Sequence, residues 1–447
     1  MERIKPRTLS GFMELLPAQQ QQMERVMDIL RTTYSRYGFT PLDTPIIEAS
    51  EILLAKGGGE TEKQIYRFSK GDSDLSLRFD LTVPLAKYVA LHYNELAFPF
   101  RRFQIGKVYR GERAQRGRFR EFYQADIDVI GDGELDIMND AEIPAIIYDV
   151  FSAMGLKRFQ IRINNRRVLN GFYSMLGLTE QSGEIMRTVD KIEKIGPDMV
   201  RAILVDDVKL TDEQADEILK FIAITGTNEE VLAALKGYCG RDELFDRGYE
   251  ELSTVIKYLG GFGVAQENFK VDLTIARGLD YYTGTVYETA LLDYPQIGSV
   301  CSGGRYDNLA SQGNRKYPGV GLSIGLSRLV SYMLHSAGAH ASRVCPASVL
   351  VAVWNEQDRS AANLIANTLR SRGIAADVAP TAAKLGKQIK YADKLGIPYV
   401  WFPAGATDGD DTASDEVKNI VTGDQQPADP KSWQPDTVYA RQTVVID

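Results

Sequence analysis

Between Arg101 and Gly131 the chain contains two strand-like runs back to back, and no other stretch narrows the possible folds as much. Phe103 to Arg110 reads as a strand, Gly111 to Gly117 as a polar loop, and Arg118 to Ile130 as the returning strand. Two extended runs joined by a short polar loop call for an antiparallel pair. Along the return, residues two apart share a face, so Phe122, Gln124, Asp126 and Asp128 point together. A glutamine and two carboxylates are expensive to bury unless something binds them, so the alternation predicts a binding face rather than a core. The segment from Phe100 to Tyr123 also holds eight basic and two acidic residues, +6 locally on a chain of net charge −8. Global charge argues against a nucleic-acid partner; a segregated basic band predicts a localised anion site.

A second block, Arg277-Gly278-Leu279-Asp280-Tyr281-Tyr282-Thr283-Gly284, lies between strand-like runs at 269–275 and 285–290. It predicts a bend between two strands that carries a cation, an acid and paired tyrosines. It reads either as a hairpin with an aromatic tip or as a ligand site whose glycines admit close approach. Ser302-Gly303-Gly304-Arg305-Tyr306-Asp307 predicts a glycine-rich turn, and the glycine-rich run from Gly319 leads to Arg328 at a helix start. Asp80-Leu81-Thr82 precedes another helix, which the Asp and Thr are suited to cap.

With 447 residues the chain is long enough for about three domains, and its 44% hydrophobic and 25% charged content is that of a soluble globular protein. The first ten residues have no apolar core and no run nears the ~20 residues of a membrane span, so a cytoplasmic location is expected. Cys239, Cys301 and Cys345 are scattered, and His92, His335 and His340 form no cluster. Neither a disulfide framework nor a protein-built metal site is expected.

In chain order, Gln19 to Tyr37 has helical apolar spacing and stops at Gly38; an extended run follows around Pro45. That unit is either an edge awaiting a partner or a helix packed on its own sheet. Residues 54–63 read as a glycine-rich loop over a site, Gln64 to Phe68 and Ser76 to Phe79 as strands, and Glu134 to Phe151 as a helix. From about 168 to 252 the pattern is helical, with Thr211 to Gln214 resembling a capped start. After a linker, strands at 348–354, 375–378 and 399–402 alternate with helices at 357–372 and 384–395, which predicts a small α/β domain. Residues 404–415 read as disordered.

Together these blocks resemble histidyl-tRNA synthetases, of the class II aminoacyl-tRNA synthetase family, over nearly the whole chain. The octapeptide and the Ser302–Asp307 segment are similar to that family's two histidine motifs. The Pro45 unit, the 101–131 block and the Gly319–Leu329 run resemble class II motifs 1, 2 and 3. The resemblance implies an α+β core (an antiparallel sheet flanked by helices) in a catalytic domain at 1–335, a helical insertion at 168–252, and an anticodon-binding α/β domain at 346–447. It implies a homodimer that joins histidine to tRNA(His) using ATP and Mg²⁺, without a membrane.

By the same resemblance, Arg277 and Arg110 would be catalytic, meeting the α-phosphate and carboxylate. Asp80, Leu81, Thr82, Gln124, Asp128, Tyr281 and Tyr282 would bind histidine along with those two arginines. Arg110, Glu112, Arg118 and Arg328 would bind ATP, and Arg113 and Arg116 would reach the tRNA acceptor end. Ser327 departs from the glutamate found in many relatives. The competing implication is a non-enzymatic relative, the histidine-binding regulatory subunit of ATP phosphoribosyltransferase. Such subunits usually lack the anticodon domain, whereas here a C-terminal domain follows and Arg110, Arg277 and Arg328 are all present.

Overall fold

The computed structural model describes residues 5–55, 59–113, 117–276, 281–309, 311, 315–335, 340–404, 414–441 and 443–445. The chain forms two compact units, Met1–Glu14 with Val26–Tyr332, and Leu15–Arg25 with Met333–Asp447.

The first unit is built on an eight-stranded sheet: β1 (Thr40–Pro41), β2 (Phe100–Tyr109), β3 (Glu121–Ile130), β4 (Phe159–Asn165), β5 (Phe269–Val271), β6 (Thr285–Leu291), β7 (Ser299–Tyr306) and β8 (Gly319–Gly325). Their spatial order is β1-β2-β3-β8-β7-β6-β4-β5. The six central strands pair antiparallel, while β1 on β2 and β5 on β4 are parallel. β2 and β3 form the expected pair, in register from Phe100 opposite Ile130 to Tyr109 opposite Glu121. Ala125, Ile127 and Val129 of β3 are fully buried, and their alternation leaves Gln124, Asp126 and Asp128 on the opposite face.

Three helices brace the sheet: α1 (Pro17–Arg36), α2 (Thr82–His92) and α3 (Met138–Ala153). In α1, Val26, Met27, Leu30 and Tyr34 are buried at helical spacing, the Tyr34 ring lying 5.7 Å from Phe103. Gly38, at φ +77°, ends the segment in a conformation other residues disfavour. α3 begins at Met138 rather than Glu134.

Helices continue from α4 (Arg166–Met175) to α5 (Glu243–Gly261), the longest of this region. α4 and α5 touch backbone to backbone, because a Cβ on Gly171 would stand 2.4 Å from Phe245 N and one on Gly248 2.5 Å from Val168 N. The Thr211 start is a complete capping box with Gln214.

The bend between 269–275 and 285–290 is not a hairpin. β5 stops at Val271 and β4 lies between β5 and β6, a pairing that local sequence does not encode. The small strands near residue 70 also differ from expectation. They are Arg67–Lys70 and Ser73–Leu77, paired with Ile47–Ala49, because Gly71 at φ +59° permits a two-residue turn.

In the second unit β9 (Val349–Val351), β10 (Ala376–Val378), β11 (Tyr399–Phe402), β12 (Glu416–Asn419) and β13 (Gln425–Pro427) form a mixed sheet in the order β10-β9-β11-β12-β13. Helices α7 (Arg359–Ser371) and α8 (Leu385–Leu395) are its crossovers, α6 being Leu326–His335 in chain order. Antiparallel β12 and β13 were not anticipated. They follow residues 405–413, which lie outside the described residues, as does most of the stretch expected to be disordered. Asp415, the last residue of that stretch, is instead held by Trp401 Nε1, which donates to its Oδ2 at 2.9 Å.

Candidate active site

A cavity of about 390 Å³ opens on the polar face of β3, β8 and β7. One wall is the predicted row: Phe122, Gln124, Asp126 and Asp128 all line it. Glycine on β8 makes that possible. Gly321 sits opposite Asp128, and a Cβ there would stand 2.2 Å from Asp128 Oδ1.

Asp128 is 3% exposed and held from two sides. Tyr306 OH donates to Oδ1 at 2.8 Å, and the fully buried Arg102 places Nη2 2.6 Å from Oδ2 in an ion contact that is not aligned as a hydrogen bond. Burial raises its pKa to about 6, against the pull of Arg102 and Tyr306. For Asp126, burial raises the pKa to about 7, with Arg102 opposing and Asp128 adding to the rise. Gln124 Nε2 donates to Ser323 Oγ at 2.5 Å. Two acceptors on this strand face, Gln124 Oε1 and Asp126 Oδ1, are buried without a hydrogen-bond partner among the described residues, and Asp128 Oδ2 has only its ion contact with Arg102. Unmet buried acceptors cost free energy that a ligand with N–H donors would recover.

Asp80 and Thr82 enter from the start of α2. Asp80 does cap that helix, accepting from Val83 N at 3.0 Å, and it lines the cavity as well. Burial raises its pKa, opposed by the Val83 N–H and Arg110. Leu81 is fully buried and does not line the cavity; its carbonyl accepts from Arg102 Nη2 at 3.3 Å.

Tyr281 and Tyr282 close the near side, their rings 5.0 Å apart, with Tyr306 5.8 Å from Tyr281. Burial raises the pKa of both tyrosines, so their hydroxyls stay protonated. Gly304 gives Tyr282 its room, since a Cβ there would meet the ring at 3.0 Å. Arg277, the first residue of that block, lies outside the described residues.

The rim is cationic. Arg110 stacks between Phe79 (4.3 Å) and Phe122 (5.2 Å), its Nε donating to the Phe79 carbonyl. Arg118 Nη1 meets Glu112 Oε2 at 3.4 Å. Arg328, from α6, donates to the carbonyls of Ser299 and Ile297. Burial, followed by the like charge of Arg118, lowers its pKa, so an anion is the natural complement there. Ser327 is 1% exposed, and its Oγ accepts from Tyr123 N at 2.9 Å, tying α6 to β3. Arg113 is exposed and does not line the cavity, and Arg116 lies outside the described residues.

Several lining residues had no predicted role: Asp126, Glu288, Cys301, Ser302, Tyr306 and Ser323. The alternation had marked Asp126, and the glycine-rich motif contained Tyr306. Glu288, whose pKa burial raises to about 7, had no local signal. The rest of that motif is an anchor: buried Arg305 pairs with Asp140 of α3 at 2.6 Å, while Tyr287 OH donates to the Asp140 carbonyl.

The family profile described as "Histidyl-tRNA synthetase" matches residues 11–329, and the one described as "Anticodon binding domain" matches 348–425. The histidine–tRNA ligase of Bifidobacterium animalis subsp. lactis is 53% identical over 467 residues, covering 99% of each chain. The crystal structure of histidyl-tRNA synthetase from Nostoc sp. PCC 7120 superposes with a TM-score of 0.87 at 38% identity, covering 95% of this chain and 97% of that one. An ATP phosphoribosyltransferase regulatory subunit/histidyl-tRNA synthetase from Bacillus halodurans C shares the fold, with a TM-score of 0.72 at 22% identity over 87% of this chain and 97% of its own. By profile, by identity over nearly its full length and by fold, the chain belongs to the histidyl-tRNA synthetase family.

Proposed function

We infer that the chain is a histidine–tRNA ligase that activates histidine with ATP and transfers it to the 3′ end of tRNA(His). One observation carries this reading beyond kinship: a buried row of unmet acceptors lies beside an arginine-rich rim in one cavity. A zwitterionic amino acid with an N–H-bearing ring supplies the donors, and a triphosphate suits the arginines.

In the first step a carboxylate oxygen of histidine attacks the α-phosphorus of ATP, and pyrophosphate leaves. In the second the terminal ribose hydroxyl attacks the acyl carbon, and AMP leaves. Both are anion-crowded displacements that depend on positioning and charge stabilisation. Asp80, Thr82 and Gln124 hold the α-ammonium. Asp128 accepts from one imidazole N–H, and the Tyr282 hydroxyl faces the other nitrogen with Tyr281 beside it. Amino acids with aliphatic or aromatic side chains leave the Asp128 carboxylate and the Tyr282 hydroxyl without these ring partners.

Arg110 bridges the carboxylate and α-phosphate, with Arg277 assigned the same charge from the octapeptide. Glu112 accepts from the adenine amino group. Arg118 and Arg328 hold the phosphate tail, and Mg²⁺ enters with ATP as part of the substrate. Arg113 and Arg116 extend toward the tRNA acceptor end, and the 346–447 domain reads the anticodon. Ile46, Ile47 and Phe68 expose apolar surface around the small three-stranded sheet, which supports a homodimer built on the 19–48 segment. The reading is tested by exchange of pyrophosphate into ATP: it should require histidine, and no other amino acid should replace it.

A further inference from the structure

Arg102 lies on β2 directly opposite Asp128 of β3, is fully buried and does not line the cavity. Its Nη2 serves two partners at once: it stands 2.6 Å from Asp128 Oδ2 and donates to the Leu81 carbonyl at 3.3 Å. Nε and Nη1 are buried without a hydrogen-bond partner among the described residues. A guanidinium satisfied this poorly is costly to bury. Apolar side chains of similar volume often replace a buried ion pair without loss of stability, so packing alone does not account for an arginine here. Both of its partners belong to the amino-acid end of the cavity. Asp128 is the acceptor assigned to the imidazole N–H, and Leu81 sits between Asp80 and Thr82, which are assigned to the α-ammonium.

We propose that Arg102 is a positioning residue for histidine recognition: it fixes the separation between Asp128 and the Asp80–Thr82 segment, and it keeps Asp128 an anionic acceptor. The proposal rests on the ligase reading's placement of histidine and adds a residue that does not touch the ligand. Because one nitrogen holds both partners, neither moves without disturbing the other. Histidine presents its α-ammonium and its ring N–H from the two ends of a short side chain, so a shift of about 1 Å at either end unmakes one of the two contacts. Charge is the second half of the role. Around Asp128 stand Arg102 from β2, Asp126 from its own strand, Tyr306 from β7, Tyr281 and Tyr282 from the segment before β6, and Asp80 from the start of α2, while β8 brings Gly321 opposite it. Burial favours the neutral acid at Asp80, Asp126 and Asp128, and Arg102 opposes it at each. Protonation of Asp128 would turn one of its oxygens from acceptor to donor.

The test titrates L-histidine into the full-length chain by calorimetry, without ATP or RNA, in steps from about pH 6 to about pH 9. Arg102→Met removes both charge and fork, and near pH 7 it should raise the Kd for histidine about tenfold or more. The ratio of its Kd to the parent's should be largest at low pH and shrink as pH rises, because Asp128 without Arg102 holds its proton to higher pH. Titration of free histidine is common to both proteins and cancels in that ratio. Arg102→Lys keeps the charge but loses the planar fork, so its Kd should rise about threefold with a ratio that is flat across pH. In an Asp128→Asn background, adding Arg102→Met should cost less than about threefold, since the acceptor that Arg102 serves is already lost. A folded Arg102→Met variant with the parent's Kd overturns the proposal. So does a loss that is equal at every pH and adds in full to that of Asp128→Asn, the outcome expected of a residue that only packs. If Arg102→Met does not fold, the Lys variant carries the test, and a Kd equal to the parent's then overturns it. A parent that binds histidine but does not exchange pyrophosphate with it removes the ligase reading alone and leaves the Arg102 comparison intact.

Discussion

At the scale of single residues, the buried acids of β3 set the chemistry. Asp128→Asn keeps size but loses the charge opposite Arg102 and the pure acceptor proposed for the imidazole N–H. Histidine kcat/KM in pyrophosphate exchange should fall by about 2–4 kcal/mol, with the KM for ATP little changed. The ion contact with Arg102 is lost with that charge. Asp126 makes a prediction about stability. Its folded pKa, about 7, lies above its unfolded value. Below the unfolded pKa both states are protonated and the side chain is neutral to stability. As pH rises toward the folded pKa, ionisation favours the unfolded chain. Asp126→Asn should therefore melt higher than the parent at pH 8 and converge with it below about pH 4. A thermal-melt series across pH measures this, and an unchanged difference at all pH values would refute it. Ser327 is a packing residue as much as a departure: its hydroxyl accepts the Tyr123 N–H that Ser327→Ala would leave unmet.

At the scale of elements, glycines separate tight contacts from open ones within one helix. A Cβ at Gly248 of α5 would stand 2.5 Å from Val168 N, whereas at Gly260 it would meet nothing within 4 Å. Gly248→Ala should therefore destabilise by more than 1 kcal/mol, while Gly260→Ala should be neutral or stabilise by about 0.5–1 kcal/mol. Urea denaturation of the two variants checks the contrast. Local chemistry made some elements legible: the Thr211 capping box and the β2–β3 pair follow from caps, periodicity and a polar loop. The strands flanking residue 70 were displaced because a glycine with positive φ shortened the turn, and periodicity carries no information about φ.

At the scale of the whole molecule, the catalytic and C-terminal units each close around their own core. A chain ending after residue 335 should retain histidine-dependent pyrophosphate exchange and lose charging of tRNA. Loss of exchange in a folded truncation would contradict the assignment of residues 346–447 to RNA alone.

The sequence by itself determined many of the strands and helices, though not β4, β12, β13 or the strand character of Ser302–Tyr306, together with the polar row on β3 and the motif residues that resemble a known family. These are local: side-chain alternation follows from strand geometry, and a motif is a run of neighbours. Only the tertiary structure decided which runs become neighbours in space. It inserted β4 between β5 and β6, so the octapeptide links non-adjacent strands. It brought Tyr306 from β7 onto Asp128 and paired Arg102 with the same carboxylate. It drew Glu288 into the cavity and turned Arg305 toward Asp140. Such contacts join residues tens to more than a hundred positions apart, fixed by sheet order and burial rather than by the propensities of either segment.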